Sequence, residues 1–232
     1  MNSSKKSILN SNFTYLAAFV LPVIMMMALY YTRGIFPWGN ECYLRSDMYH
    51  QYAPFFSELW HKIRNGESLT YSWNIGMGTN FTSLFAYYLA SPSNWFVALF
   101  PQKYTIEIMN AFIILKIAGS SLSLTYYLTK HNNNKHVIAA IFGMFYGMSG
   151  FIAAYSWNIM WLDCVILIPL IMLGLERLVN ENRCIFYCIT LGLCIFTNYY
   201  IAIMVCLSVV IYYVVLMIAY NGIKTVSYTH LR

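Results

Sequence analysis

Charge is what this sequence lacks most. Only 9% of its 232 residues are Asp, Glu, Lys or Arg, where a soluble domain carries roughly 25%. That shortage excludes a water-soluble globule. The formal net charge is +6, but the basic residues are scattered and form no run, which argues against nucleic acid as a partner. Cysteine occurs six times without forming a framework. Cys164, Cys184, Cys188, Cys194 and Cys206 lie in or beside apolar stretches, and only Cys42 sits in a polar loop. Cys184 and Cys188 are one helical turn apart with no second ligand pair, so zinc is not indicated. Buried thiols acting as small hydrophobes are the remaining reading. Low-complexity segments and internal repeats are also missing.

What is there is apolar. Hydrophobic residues make up 59% of the chain, and runs of about 20 of them read as transmembrane helices. Such runs cover 13–31, 106–128, 137–155 and 162–178. The last stretch, 184–220, is too long for one span and divides at Thr197-Asn198-Tyr199-Tyr200. The expected fold class is therefore all-α, a polytopic transmembrane bundle of about six spans. Lys5 and Lys6 imitate the basic start of a signal peptide. However, the first run is long and Ala28-Leu29-Tyr30-Tyr31-Thr32-Arg33 is no small-residue cleavage site, so an uncleaved anchor is expected.

Lys5, Lys6, Lys130, Lys135, Arg177, Arg183 and Lys224 all fall on one side of this arrangement, and the short turn 156–161 opposite has neither Lys nor Arg. The positive-inside rule makes the first side cytoplasmic, so the N-terminus is expected inside and the long loop 32–105 outside. Arg33, Arg45, Lys62, Arg64 and Lys103 in that loop do not oppose this, because long loops escape the rule. Trp38, Trp60, Trp73, Trp95, Trp157 and Trp161 all collect on the outer side.

The long loop carries its own pattern. Ser46 and Asp47 can cap a helix, and Tyr52, Phe55, Phe56, Leu59 and Ile63 then recur at helical spacing. Glu58, His61, Lys62 and Arg64 fall largely on the other face, and Asn65-Gly66 supplies a stop. This predicts an amphipathic helix lying in the membrane interface. A glycine-containing turn follows at 73–80. A second, broken interfacial element covers 81–90 and 95–100, punctuated by Pro92 and Pro101.

Asp47 is the leading candidate for chemistry. A carboxylate at the outer lip of a bundle is where an enzyme of lipid-linked substrates would keep a general base; a plain helix cap is the competing reading. Sugar transfer with inversion needs such a base while a phosphate leaves from the opposite face. Arg45, His50, His61 and Arg64 could receive that phosphate, although a lone basic residue near an interface is more often a lipid-headgroup contact. Gln51 lies in the same stretch. Asp163, opening the fourth span on the same side, could line one cleft with Asp47 for substrate hydroxyls or a divalent metal, or could simply answer the helix dipole. No Asp-x-Asp or His-x-x-x-His spacing completes a metal set on that side. Lys116 sits near the middle of the second span, where a charge costs at least about 2.5–3.5 kcal/mol. It could neutralise a lipid phosphate or join a structural pair. No cofactor follows from the residues.

Taken together, several stretches resemble the YfhO family of bacterial multi-pass membrane proteins, itself similar to the GT-C superfamily of glycosyltransferases. They are Asp47 through Phe56; Tyr71-Ser72-Trp73 with Gly76 and Gly78; Tyr87-Tyr88-Leu89 with Ser91-Pro92 and Asn94; Trp161-Leu162-Asp163; Pro169-Leu170; and Asn198-Tyr199-Tyr200. The resemblance implies an enzyme of the bacterial cytoplasmic membrane. Such an enzyme takes its sugar from a polyprenyl-phosphate carrier and decorates a cell-surface polymer such as lipoteichoic acid. It makes Asp47 the expected catalytic carboxylate and Asp163 a second functional acid. It also implies that residues 1–225 are the N-terminal part of a longer transmembrane domain. In keeping with that, 226–232 reads as a translated sequencing adaptor, with a genuine loop as the alternative. Two other classes stay open: a transporter or flippase of a lipid-linked sugar, and a non-enzymatic membrane assembly protein.

Overall fold

A chain so poor in charge must satisfy its backbone polar groups internally, and a helix does so within one segment. The computed structural model describes residues 2–133 and 137–229, with side chains within 12–133 and 137–219. Lys135 and residues 230–232 lie outside the described residues. So do the side chains of Lys5, Lys6, Lys224 and 226–229, and with them the adaptor reading of the tail.

The long helices are α1 (Asn2–Thr32), α4 (Thr105–His131), α7 (Leu162–Glu181) and α9 (Tyr199–Thr229), with α8 (Ile185–Thr197) between the last two. Among the described residues four segments are long and apolar enough to cross a membrane: Asn12–Thr32, Gln102–His131, Ile138–Tyr155 and Tyr199–Ala219. The two other expected spans are the more charged α7, of 20 residues, and the shorter α8, of 13. The break before α9 falls where the sequence placed it. Asn198 leaves the helix at φ −161°, ψ 104°, and its side-chain oxygen accepts from the Ile201 N–H at 2.9 Å to start the next one.

The third expected span is interrupted. It consists of α5 (Ile138–Gly147) and α6 (Gly150–Tyr155), with Ser149 extended at φ −64°, ψ 162° between two glycines. α4 is the central post, packed against α1, α5 and α7, while α8 and α9 add to α7. The α4–α5 approach depends on small residues. A Cβ on Gly143 would overlap the Ser121 carbonyl and the Thr125 hydroxyl, and one on Gly147 would come within 2.7 Å of the Ile117 carbonyl oxygen.

The long loop is a folded layer at one end of the bundle. A π-helical turn, Met48–Tyr52, runs directly into α2 (Ala53–Asn65), which stops at Gly66 with φ +67°. A small antiparallel hairpin, β1 (Tyr71–Ser72) with β2 (Thr79–Asn80), leads to α3 (Phe81–Leu84). A second π-helical turn, Phe85–Leu89, and a 3₁₀ segment, Pro92–Leu99, follow. α2 buries Phe55, Phe56 and Leu59 as the spacing predicts.

One expectation for α2 is corrected. Glu58 and Lys62, placed by periodicity on the outward polar face, are both buried. The hairpin folds over that face. Lys62 Nζ lies 3.6 Å from Glu58 and donates to the Ser68 and Tyr71 carbonyls at 3.1 and 2.9 Å. Glu58 accepts from Ser72 Oγ at 2.6 Å and Asn74 Nδ2 at 3.0 Å. Two opposite charges with this many partners can leave water together, whereas either alone could not. The hairpin thus covers part of the second face, while His61 stays partly exposed and Arg64 exposed.

Candidate functional site

Three segments far apart in sequence meet at the loop-bearing end of the bundle. The turn after α6 is their hub. Ser156 Oγ hydrogen-bonds the Tyr43 hydroxyl at 2.7 Å, and Tyr52 donates to Asn158 Oδ1 at 3.0 Å. At the start of α9, Asn198 Nδ2 donates to the Tyr87 carbonyl at 3.1 Å. Around these bonds the rings form a continuous wall. Phe55 and Tyr52 each meet Tyr88, at 5.1 and 5.4 Å between centroids, and Tyr88 meets Tyr87 at 4.5 Å. Tyr87 continues to Tyr199 at 5.6 Å, while Tyr52 stacks within 11° of parallel on Trp157. Trp161 stacks on Tyr200 at 6.1 Å. Tyrosine and tryptophan suit such a wall because each offers a π face together with a polar tip.

Asp47 stands at the edge of this wall, exposed. The capping role is corrected: Ser46 has φ +48°, Asp47 is already in helical conformation, and its side chain makes no cap hydrogen bond. Among the described residues its carboxylate has no hydrogen-bond or ion-pair partner. Its charge is nevertheless felt. Burial pushes the Tyr52 phenol well above its ordinary range, and the Asp47 charge adds to the rise. Tyr88 is raised in the same way by burial, then by Tyr87 and Asp47. Both phenols therefore stay neutral hydrogen-bond donors at any physiological pH.

The other expected site residues divide. His50 and Gln51 share the π-helical turn that follows Asp47, His50 exposed and edge-on to the Tyr49 ring at 5.2 Å, Gln51 half-buried. Arg45 turns elsewhere: its guanidinium sits 5.7 Å from the centre of the Tyr43 ring, at a separate recess. Lys116 and Asp163 meet each other. Lys116 Nζ is buried and donates to Asp163 Oδ2 at 2.6 Å and to the Ile159 carbonyl at 3.2 Å, with Ser91 Oγ at 3.4 Å. The ammonium that looked available in the span is thereby occupied. Asp163 also borders a recess of about 190 Å³ beside Ser93 and Thr197.

Tyr52, Tyr87, Tyr88 and Trp157 were not singled out as site residues by sequence reasoning. The available signal was tyrosine where an apolar face needs only phenylalanine, since a buried phenol asks for a partner. Among the described residues no three His, Cys, Asp or Glu side chains gather as ion ligands, so a divalent cation finds no ready donor set there. At the far end of the bundle a different cluster closes on itself. Tyr127 and Tyr212 donate to Glu176 Oε1 at 2.8 and 2.6 Å, and His131 Nδ1 lies 2.9 Å from Oε2.

With this geometry in hand, comparison with known proteins is informative on one point. The family model described as bacterial membrane protein YfhO matches residues 17–231. No curated protein and no solved structure matches the chain.

Proposed function

Because the chain belongs to the YfhO family of bacterial membrane proteins, we propose that it serves as a glycosyltransferase of the cytoplasmic membrane, with its loop-bearing end outside. The donor is a sugar on a polyprenyl-phosphate carrier and the acceptor a hydroxyl of a cell-surface polymer such as lipoteichoic acid. The observation that carries this reading is Asp47, an exposed carboxylate, unpaired among the described residues, at the rim of a wall of neutral aromatic rings. Sugars suit that combination. Their C–H faces lie against the negative face of an aromatic ring, while their hydroxyls hydrogen-bond a carboxylate.

In the proposed step Asp47 accepts the proton of the acceptor hydroxyl. The acceptor oxygen forms its bond to the anomeric carbon as the bond to the carrier phosphate breaks, and the phosphate departs with the electron pair. His50, on the turn that follows Asp47, is the ring N–H donor assigned to the departing phosphate. Lys116 and Asp163, paired with each other, hold the 159–163 segment under the wall, and Asp163 also borders the recess beside Ser93 and Thr197.

The test is Asp47→Asn, expressed in place of wild type at equal membrane level, with sugar measured on wall polymers. General-base removal costs about 10²–10⁴ in rate, so decoration should fall to background while polymer export continues. Retained decoration would remove Asp47 from the chemistry. Loss of export with intact sugar content would favour the transporter reading, in which polar groups are expected at the bilayer midplane instead.

A further inference from the structure

Arg45, two residues before Asp47, points away from the aromatic wall and into different surroundings. It sits with Tyr43 and Ser156 at the mouth of a recess of about 170 Å³ between α1, α4 and the broken α5–α6 pair. The walls are apolar: Met26 of α1, Ile117 of α4, and Gly147, Ile152 and Ala153 across the helix break. The six residues of α6, at about 1.5 Å each, put roughly 9 Å between the polar mouth and the break below it. Among the described residues no carboxylate pairs with Arg45; its guanidinium has only the Tyr43 ring. In a bilayer the natural filling of an apolar shaft is hydrocarbon. A lone guanidinium beside the bonded Tyr43–Ser156 hydroxyl pair matches a phosphate, which arginine grips through several donors at once.

We propose that this recess is a binding site for an anionic glycerophospholipid of the surrounding leaflet, its phosphate on Arg45 and one acyl chain along the α5–α6 break. Basic pockets between membrane helices recognise lipid headgroups by the same combination of charge and apolar depth. A bilayer phospholipid is favoured over a sugar carrier by the geometry of the 156–161 turn. Ser156 faces Tyr43 and this recess, whereas Trp157 and Asn158 face Tyr52 on the aromatic side where the Asp47 charge acts. A carrier presenting sugar to Asp47 would come from the aromatic side. The inference is independent of the transferase reading, because it concerns a lipid held at Arg45 and not a reaction at Asp47.

The experiment uses the purified full chain in detergent. Native mass spectrometry follows retention of added phosphatidylglycerol, phosphatidylcholine and undecaprenyl phosphate. Wild type should retain phosphatidylglycerol in preference to phosphatidylcholine. Arg45→Gln should weaken that retention about tenfold, and Arg45→Lys less. Ala153→Trp, on an exposed position of the recess wall, should block it with Arg45 still in place. Equal phosphatidylglycerol retention by wild type and both disabling variants would overturn the proposal in favour of unspecific annular lipid. Displacement of phosphatidylglycerol by undecaprenyl phosphate in an Arg45-dependent way would overturn it in favour of a carrier site. Asp47→Asn should leave lipid retention unchanged, which separates this result from any outcome at the proposed catalytic acid.

Discussion

Asp47 and Asp163 stand at the same end of the bundle and live in opposite circumstances. Asp163 opens α7 against the buried ammonium of Lys116 at 2.6 Å, and only a seventh of its side chain is exposed (14%). Asp47 is exposed, unpaired among the described residues, and placed where two neutral phenols feel its charge. From sequence both acids read as carboxylates beside a span on the outer side, Asp47 in the loop and Asp163 opening a helix. The structure separates an acid whose charge is already answered from one whose charge is still available. A membrane protein can afford a buried ion only when a partner accompanies it, so the paired acid reads as scaffold. The open acid needs no such partner in water, and there a ligand can reach it.

The largest expected effect tests the scaffold half of that contrast. Lys116→Met should strand the Asp163 carboxylate in a nearly buried position, and breaking such a pair costs about 3–5 kcal/mol. Thermal unfolding in detergent should show it as a large fall in Tm. The double variant Lys116→Met with Asp163→Leu should recover much of the loss, because the two charges then leave together. Were Lys116→Met to leave stability intact and abolish decoration, the pair would belong to the chemistry and the contrast with Asp47 would collapse.

A middle-sized effect comes from the far end. Glu176 is the acceptor that joins Tyr127 and His131 of α4 to Tyr212 of α9. Glu176→Gln keeps an acceptor oxygen for the phenols but removes the charge that strengthens each bond. A loss of about 1–3 kcal/mol follows, read as a lower Tm and faster proteolysis of α9. Glu176→Leu should do worse than Glu176→Gln. If the two were equal, the carboxylate would be bystander to the packing of α7 rather than a lock between helices.

What could be read from sequence, and what could not, divides along the same physical line. Apolar runs place the helices, because backbone satisfaction in a bilayer leaves little other choice. The break at Asn198 was legible because a polar Thr-Asn pair interrupts a run too long to be one span. The break inside 137–155 was missed, although Gly147, Ser149 and Gly150 mark it, because the run has the length of a single span and is otherwise apolar. Glu58 and Lys62 were misplaced for a different reason. Periodicity assumes one covered face, and nothing local announces that the hairpin of 71–80 will cover the second. The Lys116–Asp163 pair spans 47 positions in sequence, and no spacing rule reaches so far. For the same reason the aromatic wall was invisible as a unit, though its pieces were noticed separately in Tyr87-Tyr88 and Tyr199-Tyr200.

The smallest expected change in stability is the sharpest test of the comparison. Asp47→Asn touches no hydrogen bond or ion pair among the described residues, and a surface substitution of that kind moves stability by no more than about 0.5 kcal/mol. The Tm of Asp47→Asn should therefore match wild type within error, even though the same variant is expected to lose polymer decoration. Such a split, full stability with lost activity, is what an open acid produces and what a paired acid cannot. A substantial fall in Tm for Asp47→Asn would mean that its charge supports the loop fold through Tyr52 and Tyr88. Asp47 would then join Asp163 as scaffold, and the proposed transfer would need another residue as its base.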